Sequence, residues 1–361
     1  MGNFNLTKLA VNRCCPGNVA QLDDAGLPSL MVWIPAFKLS DVLNTDNESI
    51  HPAFIVNGVQ IPGFWYSKYE NVAHEGKVYS LPGETPQANF TLDVAKQYCE
   101  AKGYGWHLST NAEWAAIALL CAKNGTQPNG NTKYGKDSGE TEYKAIPASY
   151  DDSGRITAVA TGTGPLTWSH DRTMSGVWDM SGNLFEWQGG LRMVWGEIQV
   201  LADNDAADPD NPQNASSVCW KAINAADGSL VEPECKTTDT SAKLSGSTVR
   251  LDFVNNAWVY VTTITSSETP TRGCRFAAMS CADNISAAAK LRLQSLLILP
   301  DDGKDYGGDY FWANNGVEER CSYRGGGFSN GTDGGVFSVY FGPRTSSGNS
   351  LGCRAAYIPN I

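Results

Sequence analysis

From Met31 onward apolar residues come in short alternating bursts. Met31-Val32-Trp33-Ile34-Pro35-Ala36-Phe37, Ala53-Phe54-Ile55-Val56 and Phe64-Trp65-Tyr66-Ser67-Lys68-Tyr69 are strand-length runs separated by Pro and Gly, and they predict three strands. The period then lengthens. Val94, Ala95, Tyr98 and Cys99 share one face of a helix that Thr91 can cap, with Gly103 past its end. Thr110-Asn111-Ala112-Glu113 has capping-box spacing; Trp114, Ile117, Ala118 and Cys121 follow, and Gly125 closes the helix. A third helix is predicted from Asn284 or Ser286 to about Leu297. Residues 125–165 are polar and Gly-rich and read as loop, and from Tyr323 short strands alternate with Gly turns. Short strands interleaved with three helices give an α+β class.

Residues 1–30 are polar and turn-rich and read as an arm; residues 31–361 read as one domain. Within it, about 197–320 reads as an insertion. It opens on an acidic run, Asp203–Asp210, that lacks EF-hand spacing and reads as a solvated loop. The strand-like runs Val249–Val254 and Ala257–Val261 follow. No repeat of fixed period is present.

The 361 residues are 42% hydrophobic and 18% charged, enough apolar content for a packed core. Thirty-seven Gly and 11 Trp suit a loop-rich fold pinned by large aromatics. Lys and Arg number 27 against 38 Asp and Glu, a net charge of −11. With no basic cluster, nucleic acid and anionic membrane surfaces are poor partners. The apolar run Leu296–Leu299 is far too short to span a bilayer. The N-terminus lacks a charged segment followed by a continuous apolar one, so no secretory signal is expected. Met1-Gly2 would suit myristoylation, but Leu6 stands where Ser or Thr is needed. The ten Cys form no C-x-x-C pair and no zinc ladder. They read as mostly reduced and buried, with room for a disulfide within Cys219…Cys235 or Cys274…Cys281.

Three ordered stretches carry a family resemblance. They are Gly105-Trp106-His107-Leu108-Ser109-Thr110-Asn111-Ala112-Glu113-Trp114, then Gly176-Val177-Trp178-Asp179-Met180-Ser181-Gly182-Asn183-Leu184-Phe185-Glu186-Trp187, then Tyr323-Arg324-Gly325-Gly326-Gly327-Phe328 with Leu351-Gly352-Cys353-Arg354-Ala355-Ala356. Together they resemble the formylglycine-generating-enzyme (sulfatase-modifying-factor) family over roughly 30–196 and 320–358. The resemblance implies a C-type-lectin-type fold. The family's enzymes use a copper-binding Cys pair, and the matching positions fall near Gly331 and Val336. Neither can act as a soft-metal ligand or nucleophile, so no enzyme is expected. His51, His74, His107 and His170 lie far apart in sequence and read as structural or surface residues. No cofactor is required on this reading, with room for one structural calcium. The family holds calcium around the second stretch, which carries over to Asp179, Gly182, Leu184 and Glu186, oxygen donors that suit a hard cation. Glu186 could instead only cap buried amides.

A narrower resemblance concerns about 324–354. This segment looks like the variable region of a diversity-generating retroelement target protein, in which adenines of template Asn codons are randomised during copying. Gly327, Ser329, Asn330, Asp333, Ser338, Tyr340, Gly342, Ser346, Gly348, Asn349 and Ser350 stand at the template's Asn positions. Each is reachable from an AAY codon by changing adenines alone. Arg324, Gly325, Gly326, Gly331, Gly335, Val336, Phe337, Arg344 and Ser347 match the invariant letters, while Phe328, Phe341 and Cys353 depart from them. The resemblance implies a ligand- or receptor-binding protein whose hypervariable surface is those eleven positions and Phe328. Tyr340 and Phe328 are then the strongest contacts, about 2 kcal/mol each when buried by ligand. The implied partner is an unknown protein or glycan on a cell surface, with no membrane insertion and with room for oligomeric display. A phage or prophage attachment protein, made in the cytoplasm and carried on a virion or cell surface, fits this. The alternatives are a metal-dependent oxidase of the parent family and a non-catalytic structural virion protein.

Overall fold

The computed structural model describes residues 3–359; the Met1-Gly2 myristoylation reading falls outside them. The chain opens with α1 (Asn3–Cys14), β1 (Asn18–Leu22), β2 (Pro28–Pro35) and β3 (Gly63–Ser67). It continues with α2 (Leu92–Glu100), β4 (Trp106–Leu108) and α3 (Asn111–Asn124). The strands form a five-stranded antiparallel sheet, ordered β1-β2-β3, then the last strand Ala355–Tyr357, then β4. Residues 18–22, read from sequence as part of an arm, are therefore its edge strand, with Asn18 opposite Val32. Their alternation is hidden because the inward positions are Asn18 and Ala20 rather than large apolar residues. Asn18 is buried, accepts from the Lys68 Nζ at 2.6 Å and donates to the Ser175 carbonyl at 2.7 Å.

The helix ends follow the sequence signals. Thr91 caps α2 by accepting from the Val94 N–H. At α3, Thr110 and Glu113 form a reciprocal capping box, and Gly125 ends the helix at φ 62°. α3 is buried from Asn111 through Leu119, as a helix apolar all round must be. Two expectations are corrected. Residues 53–56 are not one strand: Pro52–Phe54 is a 3-10 turn, and only Ile55–Val56 is extended. Proline fixes the first helical φ, and His51 Nδ1 accepts the Ala53 N–H. The 125–165 stretch contains a hairpin of Pro147–Tyr150 and Ile156–Val159. Asp151 Oδ1 closes it by accepting the Ser153 and Arg155 N–H groups.

The second sheet has twelve strands. Those that matter here are β5 (Phe185–Val194), β6 (Glu197–Val200), β7 (Ser245–Val254), β8 (Ala257–Thr263), β9 (Arg272–Arg275), β10 (Tyr310–Ala313), β11 (Arg320–Arg324), β12 (Val339–Gly342) and β13 (Leu351–Cys353). The order is β9-β10-β12-β11-β5-β6-β7-β8, with β13 parallel to β5. The segment 197–320 thus flanks the C-terminal strands on both sides rather than standing apart. It also carries α4 (Ala287–Ser295), capped by Ser286 as expected. One core cluster runs from Val32 and Phe64 through α3 to Leu251, Trp258 and Phe341. All ten cysteines are free, so neither 219–235 nor 274–281 is bridged. No helix among the described residues is long and apolar enough to cross a membrane.

Candidate functional site

The alternation of β12 sets the site. Val339 and Phe341 enter the main core. Tyr340 points the other way, half-buried at the rim of a second cluster built on Trp187, Tyr323 and Leu351. Cross-strand pairing places Tyr323 and Trp312 on either side of it. The Tyr323 and Tyr340 rings stack at 4.8 Å and 10°, and Trp312 lies 5.9 Å from Tyr340. Phe185 meets Tyr323 edge-on at 5.1 Å and Tyr340 at 6.1 Å, and Tyr310 continues the row 5.4 Å from Trp312.

The loops gather around Phe185. Its N–H donates to the Ser350 carbonyl at 2.8 Å. Gly327 donates its N–H to Asn330 Oδ1 at 2.8 Å, and a Cβ there would lie 3.3 Å from Ser350 and 3.5 Å from the Phe185 ring. Gly327, Asn330, Tyr340 and Ser350 are therefore brought together. Ser346, Gly348 and Asn349 lie on the loop between β12 and β13, with Asn349 exposed. Ser329 is exposed, and Asp333 is half-buried in the 3-10 turn Gly331–Asp333.

Four positions do not fit an open surface, Gly327 among them, since it is buried. Ser338 is 0% exposed, and its hydroxyl has no hydrogen-bond partner among the described residues. Gly342 is buried, and a Cβ there would come within 2.8 Å of the Tyr323 ring. Phe328 is buried against Tyr134 at 5.7 Å, with its backbone tied to Asn183 and Tyr134. It is a strut beneath the loop, which removes it as a contact. Sequence reasoning missed Phe185, Tyr323, Trp312 and Tyr310, all outside the Asn-codon positions. Trp312 and Tyr310 come from the segment set aside as an insertion, and their exposure follows only from strand order.

Two buried arginines bracket the segment. Arg324 has no carboxylate: Asn111 Oδ1 and the Leu296 and Leu297 carbonyls accept its hydrogen bonds, and burial lowers its pKa to about 9. Arg354 donates to both oxygens of Glu186, at 2.8 and 2.7 Å, and to the Asp179 and Ser67 carbonyls. The guanidinium thus takes up both Glu186 oxygens and the Asp179 carbonyl, while the buried Asp179 Oδ1 has no hydrogen-bond partner among the described residues. Among the described residues no group of His, Cys, Asp or Glu is arranged to hold a metal. Burial, with Glu186 and Asp179 nearby, raises the Glu70 carboxyl well above the usual carboxylate range. Burial also raises Asp179, to about 6. The turn itself needs glycine: Gly182 has φ 70°, and a Cβ would fall 2.2 Å from the Asn131 carbonyl.

Behind the segment is a cavity of about 470 Å³, lined by Thr332, Gly334, Gly335, Val336, Phe337 and Asp309 among others. Asp309 Oδ2 accepts the Phe337 N–H at 2.7 Å, and burial raises its pKa to about 7. Val336 is buried in this wall and Gly331 opens the 3-10 turn. The Cys353 thiol is pushed far up by its hydrogen bond with Cys99 and by burial. The four histidines stay apart. His51 bonds the Ser295 carbonyl and burial lowers it to about 4; His107 bonds Glu113, His170 Nδ1 accepts the Val177 N–H, and His74 is exposed.

The profile of the Sulfatase-modifying factor enzyme 1-like domain matches residues 2–203, more than half of the chain. The match includes the residues first read as an arm and ends before the last of the three stretches. No curated protein matches the chain. Three solved structures are similar. PvdO from Pseudomonas aeruginosa is 13% identical over 91% of this chain and 94% of its own, with a TM-score of 0.36. Treponema denticola variable protein 1 is 12% identical over 95% and 100%, with a TM-score of 0.33. The Major Tropism Determinant P3c variant is 11% identical over 93% and 70%, with a TM-score of 0.28.

Proposed function

As a member of the sulfatase-modifying factor enzyme 1-like family, with the family's C-type-lectin-type fold, the chain has a scaffold that presents loops on a fixed sheet, and we propose that it is a ligand-binding protein diversified at its C-terminal surface by a retroelement. The observation that carries this reading is the convergence of Gly327, Asn330, Tyr340 and Ser350 on Phe185. Four positions related only by codon chemistry gather there, with Asn330, Tyr340 and Ser350 partly exposed, which supports the reading. A surface of Tyr with Ser, Gly and Asn suits adaptable recognition, because Tyr gives contact area at low entropy cost and small polar residues adjust. Phe185, Trp312 and Tyr310, each half-buried, would supply a constant aromatic share beside the changing one, with the buried Tyr323 backing Tyr340. Attachment to a protein or glycan on a host cell, from a virion or a cell surface, is the use that best matches such a surface.

No catalytic step is part of this reading. Gly331 and Val336 offer no thiolate, and the raised Cys353 thiol is a poor nucleophile near neutral pH. No structural cation is part of it either, since Arg354 already neutralises Glu186. The test is deep sequencing of the gene's 3′ end in a growing population. Substitutions confined to the Asn-template codons, and to their first two bases, are expected. A 3′ end that varies evenly across framework and Asn-template codons would overturn the reading, as would metal-dependent turnover of a substrate.

A further inference from the structure

A cavity of about 320 Å³ lies between the stretches 215–220 and 232–238 of the inserted region and is lined by no variable position. Its walls include Arg192, Ser217, Trp220, Lys236, Thr237 and Thr238. Arg192 is 4% exposed. Its Nε donates to Gln199 Oε1 at 2.9 Å, and its Nη1 donates to the Ala215 carbonyl and to Glu319 Oε1. Its Nη2 has no hydrogen-bond partner among the described residues. The guanidinium lies 4.3 Å from the Trp220 ring centre, and Trp220 is fixed by its Nε1 hydrogen bond to the Asn214 carbonyl.

The local charge favours an anion. Glu319, the carboxylate facing Arg192, is shared with Arg344 through a 2.9 Å contact. Arg344 also reaches Asp93, which is mostly exposed. Glu232, the acid in the cavity wall, is paired with Lys221. Lys236 at the rim is exposed, and its side chain has no ion pair among the described residues. In a chain of net charge −11 this corner holds a spare guanidinium nitrogen, a lysine, and the hydroxyls of Ser217, Thr237 and Thr238. The spare nitrogen is open to solvent, so a ligand can reach it, and a guanidinium matches a carboxylate in geometry and charge.

We propose that this cavity binds the carboxylate of a small organic acid of monosaccharide size. The acid's oxygen accepts from Arg192 Nη2, its polar substituents meet the Ser and Thr hydroxyls, and its body lies against Trp220. The volume is near the lower end of ordinary ligand pockets, which sets the size. The site uses no variable position, so it stands or falls independently of the diversified surface.

The test is calorimetric titration of the full chain with sodium glucuronate, sodium N-acetylaspartate and glucose, with Trp fluorescence as a second readout. The first acid represents a sugar acid, the second an acidic peptide side chain, and glucose the uncharged control. Saturable binding of either acid, with glucose silent, is expected, and the stronger acid identifies the source of the carboxylate. Thr238→Trp, which fills the cavity from an exposed position, should weaken acid binding at least about tenfold at an unchanged melting temperature. Arg192→Lys should weaken it too, because it keeps the charge but loses the second nitrogen. Absence of binding by both acids, equal binding of glucose, or acid binding that survives Thr238→Trp would overturn the proposal.

Discussion

The two halves of the segment between Arg324 and Arg354 face different surroundings. From Gly327 to Ser338 the chain is mostly packed inward. Phe328 rests on Tyr134, Val336 and Phe337 wall a cavity, Ser338 is sealed, and Asp309 holds the Phe337 N–H. From Tyr340 to Ser350 it runs along the outer side of β12 and a surface loop, with Tyr340, Ser346, Gly348, Asn349 and Ser350 at least partly accessible and Gly342 the buried exception. Codon chemistry treats the halves alike, but packing does not. A diversified surface needs positions whose side chains can be exchanged without repacking, and the second half supplies most of them.

The largest effect should come from the frame that holds both halves. Glu186→Gln removes half of a fully buried ion pair and leaves Arg354 charged and unpaired, which costs about 3–5 kcal/mol; equilibrium denaturation would read this as a lowered midpoint. If the protein is unaffected, Arg354 does not anchor the segment. Next is Ser338→Tyr, which forces a ring into a sealed site and should cost about 3 kcal/mol or more by the same measurement.

Asp309→Asn sharpens the inner half through pH. The Asp309 pKa is raised from 3.8 to about 7 in the folded chain. Its stabilising contribution is therefore fully present below pH 3.8 and is lost as pH rises through about 7. The Asn variant does not titrate but can still accept the Phe337 N–H. It should gain on the order of 1–3 kcal/mol relative to the parent between pH 5 and pH 8, read as the difference between their melting curves. A parallel pH dependence of parent and variant would contradict the raised pKa. The smallest effect is expected in the outer half: Asn349→Tyr, on an exposed loop, should change stability by less than about 0.5 kcal/mol.

Local signals in the sequence were good guides to the three expected helices, because caps such as Thr110 with Glu113 and the turn at Gly125 are decided by neighbours a few residues away; the helix Asn3–Cys14 was missed within the stretch read as an arm. The α+β class followed from the same signals. Residues 18–22 were misjudged because a buried Asn and Ala carry no apolar alternation. How the inserted segment joins the sheet was not legible, because pairing of Trp312 with Tyr340, a parallel contact across 28 residues of chain, leaves no local trace. For the same reason the constant aromatics around Tyr340 were invisible. The partner of Glu186 is illegible for the same reason: Asp179 and Glu186 are read together from one turn, whereas Arg354, which binds both Glu186 oxygens, arrives from near the end of the chain.

The division of the segment can be tested directly by placing Tyr, one position at a time, at each of the eleven Asn-template positions except Tyr340 and recording the melting temperature of each variant. Large losses are predicted at Ser338 and Gly342, and near-parental melting at Ser329, Ser346, Gly348 and Asn349. Equal tolerance at Ser338 and Asn349, or losses concentrated on the 346–350 loop, would contradict the division of the segment into packed positions, most of them in its first half, and exchangeable ones, most of them in its second.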